Sequence, residues 1–77
     1  MNPPKIFVDF NNADKNGRVR LNVSGSVEDI KSNGIILQNG LLVLLDDDDG
    51  LKTLGKLTFS EEENIWVAEI DWKDLER

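Results

Sequence analysis

The chain contains no cysteine, no histidine and no tyrosine, and each absence closes a route to stability or chemistry. Without cysteine there is neither a disulfide nor a thiolate–zinc staple. Without histidine the commonest metal ligand and the commonest general base near neutral pH are missing. No glycine-rich phosphate loop stands in their place, so nothing supplies an activated nucleophile or an oxyanion pocket. The expectation is a protein that is not an enzyme, with no catalytic residue, no cofactor and no bound metal. Long hydrophobic runs are missing too. The longest, Leu41 to Leu45, has the length of a strand and falls short of the ~18–20 apolar residues of a membrane span. The opening Met1-Asn2-Pro3-Pro4-Lys5 lacks the apolar stretch of a signal peptide, so the expected location is cytoplasmic, with no membrane partner.

What is present amounts to one domain over residues 1–77, in which Pro3-Pro4 makes residues 1–5 an extended leader. At this length a lone hydrophobic core supplies only about 3–5 kcal/mol of net stability, so packing, ladder hydrogen bonds and self-association are the available supports. The net charge of −6 is unevenly placed. In residues 1–40 five bases face four acids, a balance of +1; in residues 41–77 four bases face eleven acids, a balance of −7. An acidic surface repels nucleic-acid phosphates and anionic lipid, and suits a basic protein partner.

The stretch from Leu54 to Trp72 reads as a β-hairpin. Leu57 and Phe59 alternate with Lys56, Thr58 and Ser60, the two-residue period of a strand with one wet face. Glu61-Glu62-Glu63-Asn64 forms a polar reversal. The return strand sets Trp66, Ala68, Ile70 and Trp72 on one face and Ile65 and Val67 on the other, so its first half is paired on both edges or covered. The two tryptophans and Phe59, as the largest rings, are expected to dominate the core.

Earlier in the chain, Ile6, Val8 and Phe10 define a first strand, and Val19, Leu21 and Val23 a second that opens at Gly17. Asn16-Gly17 is a strong reversal signal, which predicts that these two strands pair antiparallel with Arg18 and Arg20 on the solvent face. Ser26 to Gly34 reads as a short helix, capped by Ser26 with Asp29 in the capping-box position and stopped by Asn33-Gly34. Ile30 is its core anchor. Ile35 to Leu37 is either one arm of a hairpin about Asn39-Gly40 or, in the preferred reading, an extended lead into Leu41 to Leu45. That leucine strand is expected to be central and covered on both faces. Asp46 to Gly50 ends it, a loop runs to Gly55, and Trp72 to Arg77 closes with a helical turn.

Five short strands and one short helix predict a mainly β fold: a small antiparallel five-stranded barrel or curved sheet, SH3-like in preference to OB-like. Such a likeness of strand count says almost nothing about function.

Three stretches invite a functional reading. Asn12-Ala13-Asp14-Lys15-Asn16-Gly17 imitates the opening of a calcium-binding EF-hand loop, yet the closing position that needs a bidentate glutamate is Val23, and strands flank it. A turn of hairpin-forming residues is the better account. Asp46, Asp47, Asp48 and Asp49 could hold a cation only weakly, because extended neighbours point in opposite directions; a solvated run that ends a strand and discourages aggregation is the simpler reading. These aspartates and Trp72, flanked by Asp71 and Lys73, are the candidate partner-binding residues. Glu69 and Asp71 mark where the last strand emerges into water. Lys15, Arg18 and Arg20 form the only basic stripe and define the alternative, a nucleic-acid-binding barrel. Pairing of these bases with Asp9 or the acidic half competes with it. The expected function is therefore a non-enzymatic protein-interaction module or accessory subunit, docking on a basic partner through its acidic half or an edge strand. A homodimer through an uncovered edge is compatible with it.

Overall fold

A computed structural model describes residues 2–75 of the chain. It contains strands β1 (Lys5–Phe7), β2 (Val19–Arg20), β3 (Leu42–Asp46), β4 (Lys52–Ser60) and β5 (Ile65–Glu69), helix α1 (Ser24–Ser32), and a 3-10 turn at Trp72–Asp74. The strands form one sheet in the order β1-β3-β4-β5-β2. The fold is a small mixed α/β one, a strongly curled half-barrel with one short helix and one parallel pair. Among the described residues no helix is long and apolar enough to cross a membrane.

The C-terminal hairpin forms as its alternation predicts. β4 and β5 pair antiparallel with Phe59 opposite Trp66 and Leu57 opposite Ala68. β5 is paired on both edges, with β2 on its other side. β4 starts at Lys52 and not near Gly55, so the expected loop is already strand, paired residue for residue with β3 from Leu42↔Lys56 to Asp46↔Lys52.

The predicted pairing of the first two strands is not what forms. β1 lies parallel to β3, with Ile6 opposite Leu45, while β2 lies antiparallel to β5, with Val19 opposite Ala68. They occupy opposite ends of the sheet. The Asn16-Gly17 reversal does occur, but it folds Asn12–Asp14 onto Arg18–Arg20: Asp14 N–H donates to Arg18 O at 2.8 Å and Arg20 N–H to Asn12 O at 2.9 Å. The expectation of an all-antiparallel sheet fails for the same reason. A second chain segment, Val8 to Asn11, carries the chain from one edge to the other instead of turning back.

The core is aliphatic, contrary to the aromatic one expected. Ile6, Val8, Val19, Leu21, Val43, Leu45, Leu57 and Ala68 fill it, joined by Phe10. Trp66 is only partly buried at its margin, edge-on to Phe59 at 5.4 Å, and Trp72 stands outside it. Short branched side chains line the inward face because a sheet this curled leaves little depth between its ends. β3 pairs beside the hairpin and does not cover it. Its Val43 and Leu45 are buried inward, whereas Leu42 on the outward face is exposed, so the leucine strand is central in the ladder but not covered on both faces.

Helix α1 starts two residues before Ser26, and Val23 precedes it without any side-chain cap. Ser26 and Asp29 consequently do other work. Phe7 lies on the free edge of β1, since Pro4 and Val8 are the residues bonded across to β3. Its N–H donates to Asp29 Oδ2 at 2.7 Å, and its carbonyl accepts from the buried Ser26 hydroxyl. Two helix side chains thus replace a neighbouring strand. The helix stop matches its prediction: Ile35 N–H reaches Ile30 O at 3.0 Å across Asn33 and Gly34, with Gly34 at φ +60°, and Ile30 and Ile35 both pack on the core. Ile35 to Leu37 then runs as irregular lead to a turn at Asn39-Gly40, and forms neither a hairpin arm nor part of β3. At the C-terminus, the 3-10 turn supplies the helical turn expected there; Glu76 and Arg77 lie outside the described residues.

Candidate docking site at the Trp72 end

Strand directions bring the ends of β1, β3 and β5 and the starts of β2 and β4 to one end of the half-barrel. Trp72 sits there. Asp71 caps the 3-10 turn by accepting from Lys73 N–H at 3.0 Å, which fixes where the indole leaves the backbone. The indole Nε1–H donates to Gly17 O at 2.9 Å, and the ring meets Phe10 edge-on at 6.4 Å. Gly17 makes this approach possible. Its φ is +77°, and a Cβ there would sit 3.3 Å from Trp72 Nε1. Although held at both its polar and apolar margins, Trp72 remains 43% exposed. Beside it lies an open cleft of about 470 Å³ lined by Asn16, Gly17, Arg18, Glu69, Ile70 and Trp72.

The loop behind the cleft is organised by Asp14. Its side chain is almost wholly buried and accepts from Asn16 N–H, Arg18 N–H and Arg18 Nε, each at 2.9 Å. Burial pushes this carboxyl upward, but the bonds from Arg18 and Asn16 together outweigh burial and hold it below the usual carboxylate range. The EF-hand imitation therefore resolves as a turn. Asp14 faces its own loop's donors, while the Asn12 side chain is spent on Arg20 and Asn22.

The basic stripe is neutralised across its length. Lys15 pairs with Glu62 at 2.9 Å, Arg18 with Asp14 at 2.9 Å, and Arg20 with both oxygens of Glu63 at 2.7 and 2.8 Å. The acidic half supplies two of these partners, as expected; Asp9 supplies none. Arg20 also donates to Asn12 Oδ1 and Ala13 O, so all three guanidinium nitrogens are engaged. The hydrogen bond from Arg20 holds the Glu63 carboxyl below its ordinary range, outweighing desolvation.

Asp46 ends β3, and Asp47 to Asp49 lead into the β3–β4 turn at the same end of the sheet. Asp46 Oδ1 accepts from Asp48 N–H, and Asp47 Oδ1 from Asp49 N–H and Leu51 N–H, so two of the four carboxylates close the turn itself. Asp48 holds Lys5 Nζ at 2.9 Å. Asp49 is exposed and makes no ion pair among the described residues. Asp46 also approaches Lys5 Nζ, at 4.0 Å, so the Asp46 and Asp48 carboxylates share one cation while Asp47 is spent on the turn. No group of three or more acids able to hold a metal ion exists among the described residues.

Of the residues the sequence singled out, the structure gathers Trp72, Glu69 and Arg18 at one cleft and keeps Asp46 to Asp49 as a separate turn. Sequence reasoning missed the roles of Gly17 and Phe10 as supports of Trp72. Asn16-Gly17 reads as a turn signal and carries no mark of its distant tryptophan. Compared with known proteins, the chain matches no family model, no curated protein and no solved structure.

Proposed function

We propose that the chain is a non-enzymatic protein-interaction module that receives a basic side chain of a protein partner in the Trp72 cleft. The carrying observation is a half-exposed indole immobilised by Gly17 and Phe10. An aromatic anchor already ordered before binding loses little conformational entropy on docking. An indole face attracts a lysine or arginine head by about 0.5–2 kcal/mol, depending on desolvation, and the Glu69 carboxylate in the same cleft adds a directed partner. Arg18 lines the cleft as well, but its charge is matched by Asp14. The net charge of −6, with Asp46 to Asp49 at this end, steers a basic partner from a distance without needing to touch it.

Docking along an edge strand has no support, because β1 is occupied by α1 side chains and β2 by Asn12–Asp14. Protein is favoured over nucleic acid because Lys15, Arg18 and Arg20 already hold carboxylates. The kinship in strand count with SH3-like barrels is part of this proposal, and the parallel β1–β3 pair departs from it.

Titrating the protein with a short lysine- and arginine-rich peptide, read by tryptophan fluorescence, tests the reading. Binding should weaken about tenfold in Glu69→Gln and less than about threefold in Asp49→Asn, which removes an equal charge. It should also weaken with salt. Equal losses in the two variants, or binding that survives Trp72→Ala unchanged, would mean that only the general acidity is felt.

A further inference from the structure

The outward surface of β3 and β4 is left without a cover from the rest of the described chain. Residues opposite one another in a ladder share a face, so the registers place Lys5, Leu44 and Leu54 in one row. Leu42, Lys56 and Glu69 form the next row on the same face, and Asp46 stands opposite Lys52 in a third. Leu42 is 44% exposed and Leu54 50%, with Leu44 half-buried between them. The result is a diagonal stripe of leucine. Asp74 borders it, sharing a shallow cleft with Leu44, Lys52 and Leu54.

The rim of this stripe has a different charge balance from the rest of the molecule. Three lysines (5, 52 and 56) stand against three acids (46, 69 and 74); with Asp48, which already holds Lys5, the balance is −1 in a chain whose net charge is −6. Two copies approaching through their general surfaces repel one another. Through this face they meet close to neutrality, with Lys52 and Lys56 making no ion pair among the described residues and carboxylates beside them. A partner of a single sign would leave half the rim opposed.

We propose that the outward β3–β4 face binds a second copy of this chain about a two-fold axis. The leucine stripes then pack together, and the lysines of each copy lie against carboxylates of the other. This surface meets the Trp72 cleft only at Glu69; its leucines, Lys52 and Lys56 lie outside that cleft, so the inference does not rest on the reading given above. Three leucines and a six-residue rim fall short of the roughly 20–30 residues per side of a standard interface, so the dimer is weak and concentration-dependent.

Analytical ultracentrifugation of the intact chain from micromolar to near-millimolar concentration tests it. The expected result is a reversible monomer–dimer equilibrium that Leu54→Glu and Leu42→Glu each weaken by at least about tenfold, with circular dichroism unchanged. Lys56→Glu, which keeps every leucine, should weaken it as well. Added salt should leave the dimer intact or tighten it, because screening relieves the overall repulsion; this is the opposite of its effect on a basic ligand. Trp72→Ala should leave self-association unchanged. A chain that stays monomeric throughout, a dimer indifferent to both leucine substitutions, or one abolished by Trp72→Ala alone would overturn the proposal.

Discussion

At β5 the outward-facing Val67 has no exposed surface, whereas at β4 the outward-facing Leu54 is half exposed, although both stand inside the same ladder. The difference lies in what stands beside them. Val67 is flanked by Thr58 on one side and Arg20 on the other. Arg20 reaches from β2 to Glu63 in the β4–β5 turn and is held there by two oxygens, so its long apolar stem stays over the sheet. Leu54 has Leu44 opposite and lysines two positions away along its own strand, and those lysines meet no carboxylate within ion-pair distance among the described residues. A lysine with no fixed acceptor keeps its head in water and leaves its neighbours bare. Covering an apolar patch on a small sheet thus takes a long side chain and an anchored acceptor beyond it.

Equivalent truncations at the two places put this contrast to the test. Val67→Ala should destabilise the fold by about 2 kcal/mol in urea denaturation, a large share of what a domain this small holds. An effect below about 0.5 kcal/mol would show that the Arg20 side of the sheet is no better packed than the other. Arg20→Ala should cost less than Val67→Ala while raising the exposure of Val67, seen as faster amide exchange along β5. Acid sharpens the same point. Glu63 and Asp14 both have depressed carboxyl pKa values in the folded chain. The unfolded chain therefore takes up protons at a pH where the folded chain resists them. The stability they contribute is complete above the ordinary carboxylate pKa of about 4 and drains away as pH falls through the lower folded values. Glu63→Gln should flatten that acid slope. Leu54→Ala should have the smallest effect of all, within about 0.5 kcal/mol, because half of its surface is already in water in the monomer.

The β4–β5 hairpin was legible because its evidence is local: a two-residue hydrophobic period on each arm and a polar turn between them. The strand breaker at Asp46 to Gly50 was legible for the same reason. The β1–β3 pair was not. Ile6 and Leu45 find each other across about half of the chain, and no local signal competes with Asn16-Gly17, which truthfully reports a turn but not which strands it joins. Ser26 and Asp29 illustrate a second limit. Their spacing suits a capping box, yet a helix beginning slightly earlier turns the same two side chains toward Phe7. At the candidate site, Asp71 and Lys73 on either side of Trp72 pointed toward exposure, but the size of the ring set the opposite expectation, a place in the core. Its rigidity was not legible, because Gly17 and Phe10 reach it only through tertiary folding.

The grip of α1 on Phe7 also bears on how this chain survives at high concentration. Stacking of extended segments into fibres starts where a backbone amide and carbonyl stand idle at the rim of a sheet. Here a serine and an aspartate from a single helical turn occupy both positions, and the aspartate adds a charge that a newcomer would have to displace. A molecule with bare leucines on its surface can thus associate face to face, in pairs that separate on dilution, while ladder growth from the β1 edge is opposed at Phe7.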